Sequence, residues 1–241
     1  MHGDVTVEMM SGDFILWRCL HGGPLTVETV DRPQPHPRVP WQRLRARNLP
    51  LLTKLTQVYG ACAVIARDGD RIVGQLRFYP KAICRISAPG PGLCMQQAFP
   101  NGPADDFAKN DFPPLDQLAD KTIFVHCLMT GSPQQVENPY LRKGLGSRMV
   151  RALVDWARRE GWEAVEANAY ADLPSIYAVT GQAGRAFWEK LGFRTVETGV
   201  EPAFTEAGEP GFVRALLKEA ADRGMDAAAA RAKYTMRLDL T

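Results

Sequence analysis

Residues 141–161 read "LRKGLGSRMVRALVDWARREG": a basic pair, two glycines one residue apart, and an apolar-periodic run that stops at a further glycine. Met149, Leu153 and Trp156 fall on one stripe with Val150 and Ala157 beside it, while Arg148, Arg151, Asp155, Arg158 and Arg159 lie elsewhere. That spacing predicts an amphipathic helix ending at Gly161. Glycines this close together let the backbone approach a ligand with no Cβ in the way. The first N–H groups of a helix starting there have no partner within it, and with the helix dipole they make an anion site.

Two common phosphate motifs do not fit the turn. A P-loop needs a Lys and then a Ser or Thr directly after its last glycine, whereas Lys143 precedes Gly144 and Ser147 follows Gly146. A dinucleotide fingerprint needs a third glycine three residues after the second, and Met149 stands there. On spacing alone the turn is either a seat for another phosphate-bearing ligand, coenzyme A among them, or a tight strand-to-helix connection with no ligand.

Upstream of the turn, "KTIFVHCLMTG" (121–131) reads as a buried strand from its continuous apolar character. Downstream, "WEAVEANAY" (162–170) reads as a strand and "QAGRAFWEKLGF" (182–193) as a helix ending at Gly192. "RTVETGV" (194–200) is strand-like, "PGFVRALLKEAADRG" (210–224) a helix begun by Pro210, and "KYTMRLDL" (233–240) a final strand. Nearer the N-terminus, "ACAVIAR" and "RIVGQLRFY" flank Asp68-Gly69-Asp70, a strong hairpin signal. "DFILWRCLHGGPL" (13–25) is a strand-like run closed by a turn, and the prolines of "VDRPQPHPRVP" (30–40) predict an extended connector. "WQRLRARNLPLLTKLTQVYG" (41–60) has helical spacing with a break or restart expected at Pro50. Residues 87–120, rich in Pro, Gly and Asp, show no sustained period and predict a long loop.

In this order, strand "IFVHCLMTG", turn "LRKGLG", its helix, strand "WEAVEANAY" and helix "AGRAFWEKLGF" resemble the GNAT superfamily of acyl-CoA-dependent N-acetyltransferases. Gly144 and Gly146 match that family's Gln/Arg-x-x-Gly-x-Gly/Ala. Ala183, Phe187, Trp188, Glu189, Lys190, Gly192 and Phe193 match its Ala-x-x-x-Phe-Tyr/Trp-Glu-Lys-x-Gly-Phe. The resemblance implies an α/β (α+β) fold with a mixed, splayed central sheet flanked by helices. It casts residues 1–241 as a single N-acetyltransferase domain, with 1–60 an N-terminal elaboration, 87–120 an insertion loop and 122–200 the cofactor-binding core. Acetyl-CoA is the implied co-substrate, with its pantetheine against the fourth strand at Cys127, Leu128 and Met129 and its pyrophosphate on the turn. The turn offers the charges of Arg142 and Lys143 beside the amides running through Gly144, Leu145, Gly146 and Ser147, suited to a pyrophosphate with no metal. Phe187, Trp188 and Lys190 complete the implied cofactor set. Three departures stand out: Leu141 occupies the Gln/Arg position, Trp188 replaces a frequent tyrosine, and the link "TGSPQQVENPYL" is longer than usual. An indole N–H can donate a hydrogen bond but cannot usefully lose its proton to a departing thiolate.

Acyl transfer to an amine needs a neutral amine, a stabilised oxyanion and a leaving thiolate. For the oxyanion the resemblance implies a backbone N–H around Cys127 to Met129, an effect worth roughly 3 kcal/mol in comparable holes. Strand alternation puts Glu166, Asn168 and Tyr170 on one face, costly on a central strand unless paired, wet or useful. Two readings follow. Glu166 is the base, acting directly or through water, with Asn168 orienting a ligand; or Glu166 is an ion-paired carboxylate at the sheet rim with Tyr170 packed at its end. His126 is likewise either a base or a hydrogen-bonded core residue. Cys19, His21, His126 and Cys127 match no usual zinc spacing, so no metal is expected. Tyr177 and the acids Asp105, Asp106 and Asp111 are candidates for the acceptor pocket.

Composition frames these readings. The chain has 241 residues, 45% hydrophobic and 23% charged, ordinary for a globular protein with a real core. A formal net charge of +2 argues neither for nor against nucleic acid, no nucleic-acid or membrane partner is expected, and no segment has the length to cross a bilayer. The start lacks a basic head and a long apolar run, and the five cysteines are unpaired in spacing, so a cytoplasmic protein without a signal peptide is expected. The expected partners are acetyl-CoA and an unidentified amine, with a homodimer left open. A non-catalytic acyl-CoA-binding module or sensor is the alternative function.

Overall fold

The structure is a computed structural model that describes residues 4–20, 25–32, 41–83, 112–131, 138–180 and 182–241. Strands β1 (Thr6–Met9), β2 (Leu25–Thr26), β3 (Ala63–Asp68), β4 (Arg71–Pro80), β5 (Thr122–Thr130), β6 (Ala164–Tyr170), β7 (Arg194–Val200) and β8 (Ala232–Asp239) form one sheet. Its order is β1-β3-β4-β5-β6-β8-β7, with β2 set against β4. Every neighbouring pair is antiparallel except β5 and β6, which run parallel, so the sheet is mixed. The α-helices among the described residues are α1 (Trp41–Tyr59), α2 (Leu145–Glu160), α3 (Pro174–Thr180), α4 (Arg185–Glu189), α5 (Pro210–Asp222) and α6 (Ala227–Arg231).

Helix α2 supplies the parallel crossover from β5 to β6 and forms where its sequence period demands. Gly144 at its start and Gly161 at its end both take left-handed backbone, with φ of 78° and 84°. Its stripe of Met149, Val150, Leu153, Trp156 and Ala157 is buried. The helix lies on the sheet face that β4 builds from Gly74, Leu76 and Phe78; the Trp156 ring sits 5.2 Å from that of Phe78. Gly74 permits this approach, since a Cβ there would stand 3.0 Å from Met149 Sδ and 2.9 Å from Ala66 Cβ.

The opposite face is covered by residues 14–20 and α1. The buried Arg77 guanidinium donates to Leu16 O, and Asn48 Nδ2 in α1 donates to Trp17 O at 3.2 Å. Two expectations change here. Residues 13–20 form no strand: Leu16, Trp17 and Leu20 are buried in irregular chain. Its polar groups are met by side-chain bonds such as Trp17 Nε1 to Asp31 Oδ1 at 2.8 Å and Arg18 Nε to Val30 O at 3.1 Å. Helix α1 runs through Pro50 without a break. Burial of Leu44, Leu51, Leu52 and Leu55 offsets the roughly 3 kcal/mol a helical proline costs.

Residues 33–40 of the connector expected over 30–40, and 87–111 of the loop expected over 87–120, lie outside the described residues. Residues 112–120 hold a 3-10 turn, Leu115–Gln117, tied back by Tyr59 OH to Pro113 O at 2.7 Å. Beyond β7, residues 201–231 carry α5 and α6 before the chain returns as β8. Phe204, Leu216, Ala220 and Ala230 pack there with Tyr170, Leu173 and Ile176 as an apolar cluster separate from the main core.

Candidate active site in the splayed sheet

The register of β5 contains one extra residue. Arg77 of β4 pairs with Cys127 and Phe78 with Val125, which leaves His126 without an opposite. Such a bulge bends a strand and increases its local twist. On the other side, β5 pairs with β6 only from Thr122 with Ala164 to Val125 with Ala167. The sheet therefore opens at the bulge, between the fourth and fifth strands of its main run, β3-β4-β5-β6 following β1.

The edge of β5 facing this opening can be read group by group. His126 O accepts from Gln182 Nε2, and Thr130 N–H donates to Tyr177 OH at 3.2 Å. Alternation from Thr130 turns the Leu128 N–H and C=O into the same opening, while Cys127 and Met129 direct theirs to β4. Of the three residues expected to hold the pantetheine and the oxyanion, Leu128 is thus the one whose backbone faces the cleft. Cys127 and Met129 are buried on the α1 side.

At the wide end of the opening lies the glycine turn. Asn138 joins it to β5, donating from Nδ2 to Thr130 O at 2.5 Å and accepting from Tyr140 N at Oδ1 at 3.0 Å. Tyr140 OH in turn donates to Asp68 Oδ2 at 2.7 Å. Arg142 has φ of 58°, uncommon for a residue with a side chain. Arg142, Lys143 and Gly144 are exposed, Gly146 and Ser147 half-buried and Leu145 buried. Gly144 provides no side-chain cap, and Arg148 N–H to Gly144 O at 3.0 Å is the first bond of the helix, so the amides before it point outward. A Cβ on Gly146 would meet Phe187 at 3.5 Å and Leu128 Cδ2 at 3.6 Å, which brings turn, β5 and α4 together at one point.

The rest of the expected cofactor set is placed elsewhere. Trp188 is fully buried against Phe187 and Phe193, ring centroids 5.2 and 4.9 Å away, and its Nε1 has no partner. Lys190 lines a shallow groove of about 290 Å³ on the far side of α2, with Arg151, Arg158, Asp155, Val150, Val154, Leu191 and Leu238.

Glu166, Asn168 and Tyr170 share one face of β6 and are all buried, as alternation required. A free carboxylate, however, is absent at Glu166. Its Oε1 accepts from Arg237 Nη1 at 2.8 Å, and Lys81 Nζ lies 2.6 Å from Oε2. The ion-paired reading describes this geometry. Tyr170 OH donates to Glu201 Oε2 at 3.2 Å, and burial, then the Glu201 carboxylate, push its phenol well above the ordinary range. It stays protonated at neutral pH, with its hydroxyl occupied. Burial, then the nearby Arg77 guanidinium, lower the His126 imidazole to about 3, so the ring is neutral and a poor base. Burial also pushes the Cys62 thiol up to about 11. Among the described residues no three His, Cys, Asp or Glu side chains converge on a metal position, and no helix is long and apolar enough to cross a membrane.

Sequence reasoning missed Gln182 and placed Tyr177 only loosely. Both side chains close on the β5 edge from a segment whose helix, α3, is too short to show a period. Pro174 at its first position was the available signal.

Residues 135–193 match the model of the Acetyltransferase (GNAT) family. That segment spans the turn, α2, β6, α3 and α4, and over it the chain is similar to that family; β5 lies before it. Three solved structures are similar to the chain at low sequence identity. The IAA acetyltransferase of Bacillus cereus ATCC 14579 is 12% identical over 98% of this chain and 100% of its own, with a TM-score of 0.43. The structure of yncA from Salmonella typhimurium with acetyl-CoA is 12% identical over 98% and 94%, with a TM-score of 0.47. Ard1 from Thermoplasma volcanium is 11% identical over 98% of each chain, with a TM-score of 0.44. No curated protein matches the sequence.

Proposed function

We propose that this protein transfers the acetyl group of acetyl-CoA directly to an amine bound in the opening between β5 and β6. One observation carries the reading: the uncapped start of α2 and the β5 edge beyond the bulge face the same opening. The first offers amides and the charges of Arg142 and Lys143 to a pyrophosphate. The second offers the Leu128 N–H to the oxyanion that forms when the thioester carbonyl is attacked. Because Glu166 is tied to Lys81 and Arg237, the ammonium proton of the acceptor leaves to water, and turnover rises with pH as the free amine fraction grows. The protein works in the cytoplasm on this reading.

The rival, an acyl-CoA sensor without turnover, draws on the same tied-down Glu166 and Tyr170 and on the buried Trp188. Thiol release from acetyl-CoA across a panel of amines separates the two. At least one amine should raise release above the buffer rate with an alkaline limb; tight binding with only background release supports the sensor. Gly146→Asp tests the cofactor seat. The backbone of Gly146 suits any residue and its Cβ would make ordinary contacts, so the variant folds. Its carboxylate beside the pyrophosphate should weaken acetyl-CoA binding by about 10–10³-fold in calorimetry, the worth of one like-charge contact between water and protein dielectric. Unchanged affinity removes the turn from the site.

A further inference from the structure

The two working parts of the site belong to different elements: the amides of the turn lead into α2, and the Leu128 N–H lies on β5. One side chain joins them. Asn138 Nδ2 donates to Thr130 O at 2.5 Å, and Asn138 Oδ1 accepts from Tyr140 N at 3.0 Å. A carbonyl only accepts and a backbone N–H only donates, so both ends of the carboxamide are assigned by chemistry. The carboxamide fills the space over Gly131, whose φ is 68°; a Cβ there would stand 2.2 Å from Asn138 Oδ1. Gly131 N–H is itself held by Val73 O at 2.7 Å, so the clasp closes on the end of the sheet. The turn starts at once, with Leu141 N–H donating to Asn138 O at 3.3 Å, and the buried Tyr140 ties it to the β3–β4 hairpin through Asp68. Thr130 and Asn138 stand eight positions apart in the sequence yet touch. The reach from β5 to the turn is therefore set by the clasp and not by the length of chain between them.

We infer that Asn138, with Tyr140, acts as a ruler: a positioning residue that fixes the distance between the pyrophosphate seat and the Leu128 N–H. A donor anchored at the turn then delivers its thioester carbonyl to that N–H. This rests on the acetyl-transfer reading above. Thr130 O and Leu128 N–H lie two residues apart on one strand edge, about 6.6–6.8 Å along the chain, so the clasp grips β5 next to the group it serves. Binding energy gained far from the reacting carbon speeds the reaction only where a rigid frame converts it into placement. Without the clasp, a pyrophosphate still meets the turn amides. Turn and strand then shift independently, and the carbonyl arrives out of place.

The test compares two donors on the wild-type protein and on Asn138→Leu, which keeps the branched shape and removes both bonds. Acetyl-CoA carries the pyrophosphate; S-acetylpantetheine keeps the thioester arm and ends before it. With an amine that the wild-type protein acetylates, kcat for acetyl-CoA should fall about 10–100-fold in the variant, the cost of a misplacement of about 1 Å. The kcat/KM for S-acetylpantetheine and the calorimetric affinity for acetyl-CoA should stay within about threefold, because neither depends on the ruler. A merely structural residue would lower both donors together. Equal losses for the two donors, or an unchanged kcat for acetyl-CoA, would overturn the assignment and leave acetyl transfer standing. Should Asn138→Leu not fold, Tyr140→Phe decides by the same criterion, since it keeps the ring and cuts only the bond to Asp68. A wild-type protein that binds acetyl-CoA yet acetylates no amine overturns the proposed function and the ruler with it.

Discussion

His126 shows how one residue couples packing to proton chemistry. Its neighbours on the α1 side are the Tyr79 ring, 5.7 Å away, and the buried Arg77 guanidinium, and its Nε2 has no partner. With the folded imidazole near 3 and an unfolded value of about 6.5, the unfolded chain binds a proton between those limits that the folded chain does not. Stability contributed by the neutral ring is complete above about pH 6.5 and is lost as pH falls toward 3. Urea unfolding at pH 7 and pH 5 should therefore show a wild-type loss about 2 kcal/mol larger than that of His126→Gln. Equal losses would assign the uptake of protons to other groups. The sequence left this ring open between base and core because a histidine in an apolar run looks the same either way. Burial in the folded sheet, and then the Arg77 guanidinium brought near by its pairing with Cys127, settle its charge. Glu166 is a parallel case, since its partners Lys81 and Arg237 are far away along the chain.

Among the elements, α2 was the most legible, because period, bounding glycines and amphipathic stripe all agree over its 16 residues. The hairpin around Gly69 and strands β5 to β8 followed from apolar runs and turn residues. Helices α3 and α6, with seven and five residues, span too few turns for a period to emerge, whereas α4, expected over 182–193, forms over Arg185–Glu189. The apolar run at 13–20 misled for another reason: strand propensity reports burial as much as conformation, and this segment is buried without a ladder. The seat of α2 rests on the missing side chain at Gly74. Gly74→Val places carbons against Ala66 and Met149 in a packed interface and should cost about 1–3 kcal/mol in chemical denaturation. A variant of unchanged stability would show that Met149 swings clear and the helix seat is loose.

For the molecule as a whole, the segment between β7 and β8 makes a second, smaller apolar body on the wide end of the cleft. It is joined to the sheet by Tyr170, whose hydroxyl meets Glu201 and whose ring lies 5.2 Å from that of Phe204, and to α3 by Ser175 N–H to Glu219 Oε2 at 3.2 Å. Helix α3 carries Tyr177 to the β5 edge, so the packing of residues 201–231 sets where that hydroxyl stands. Phe204→Ala removes the centre of this cluster and should cost about 3–5 kcal/mol locally. Hydrogen exchange should then quicken at amides of 174–180 and 210–222 while β3, β4 and β5 keep their protection. Uniform loss of protection would mean that the two bodies unfold as one.

The extra residue at position 126 has a consequence of another kind. Ile123 and Val125 lie on the α2 side of the sheet, and so do Leu128 and Thr130, because the bulge absorbs one count between odd and even positions. Removing that single residue would leave every other side chain on its own side and yield an ordinary alternating strand. Nothing would then bend β5 away, and its edge would be free to continue pairing with β6 beyond Ala167. The cavity is in this sense a matter of arithmetic: it arises from chain length, tolerates exchange of letters at position 126, and would be zipped shut by deleting one of them.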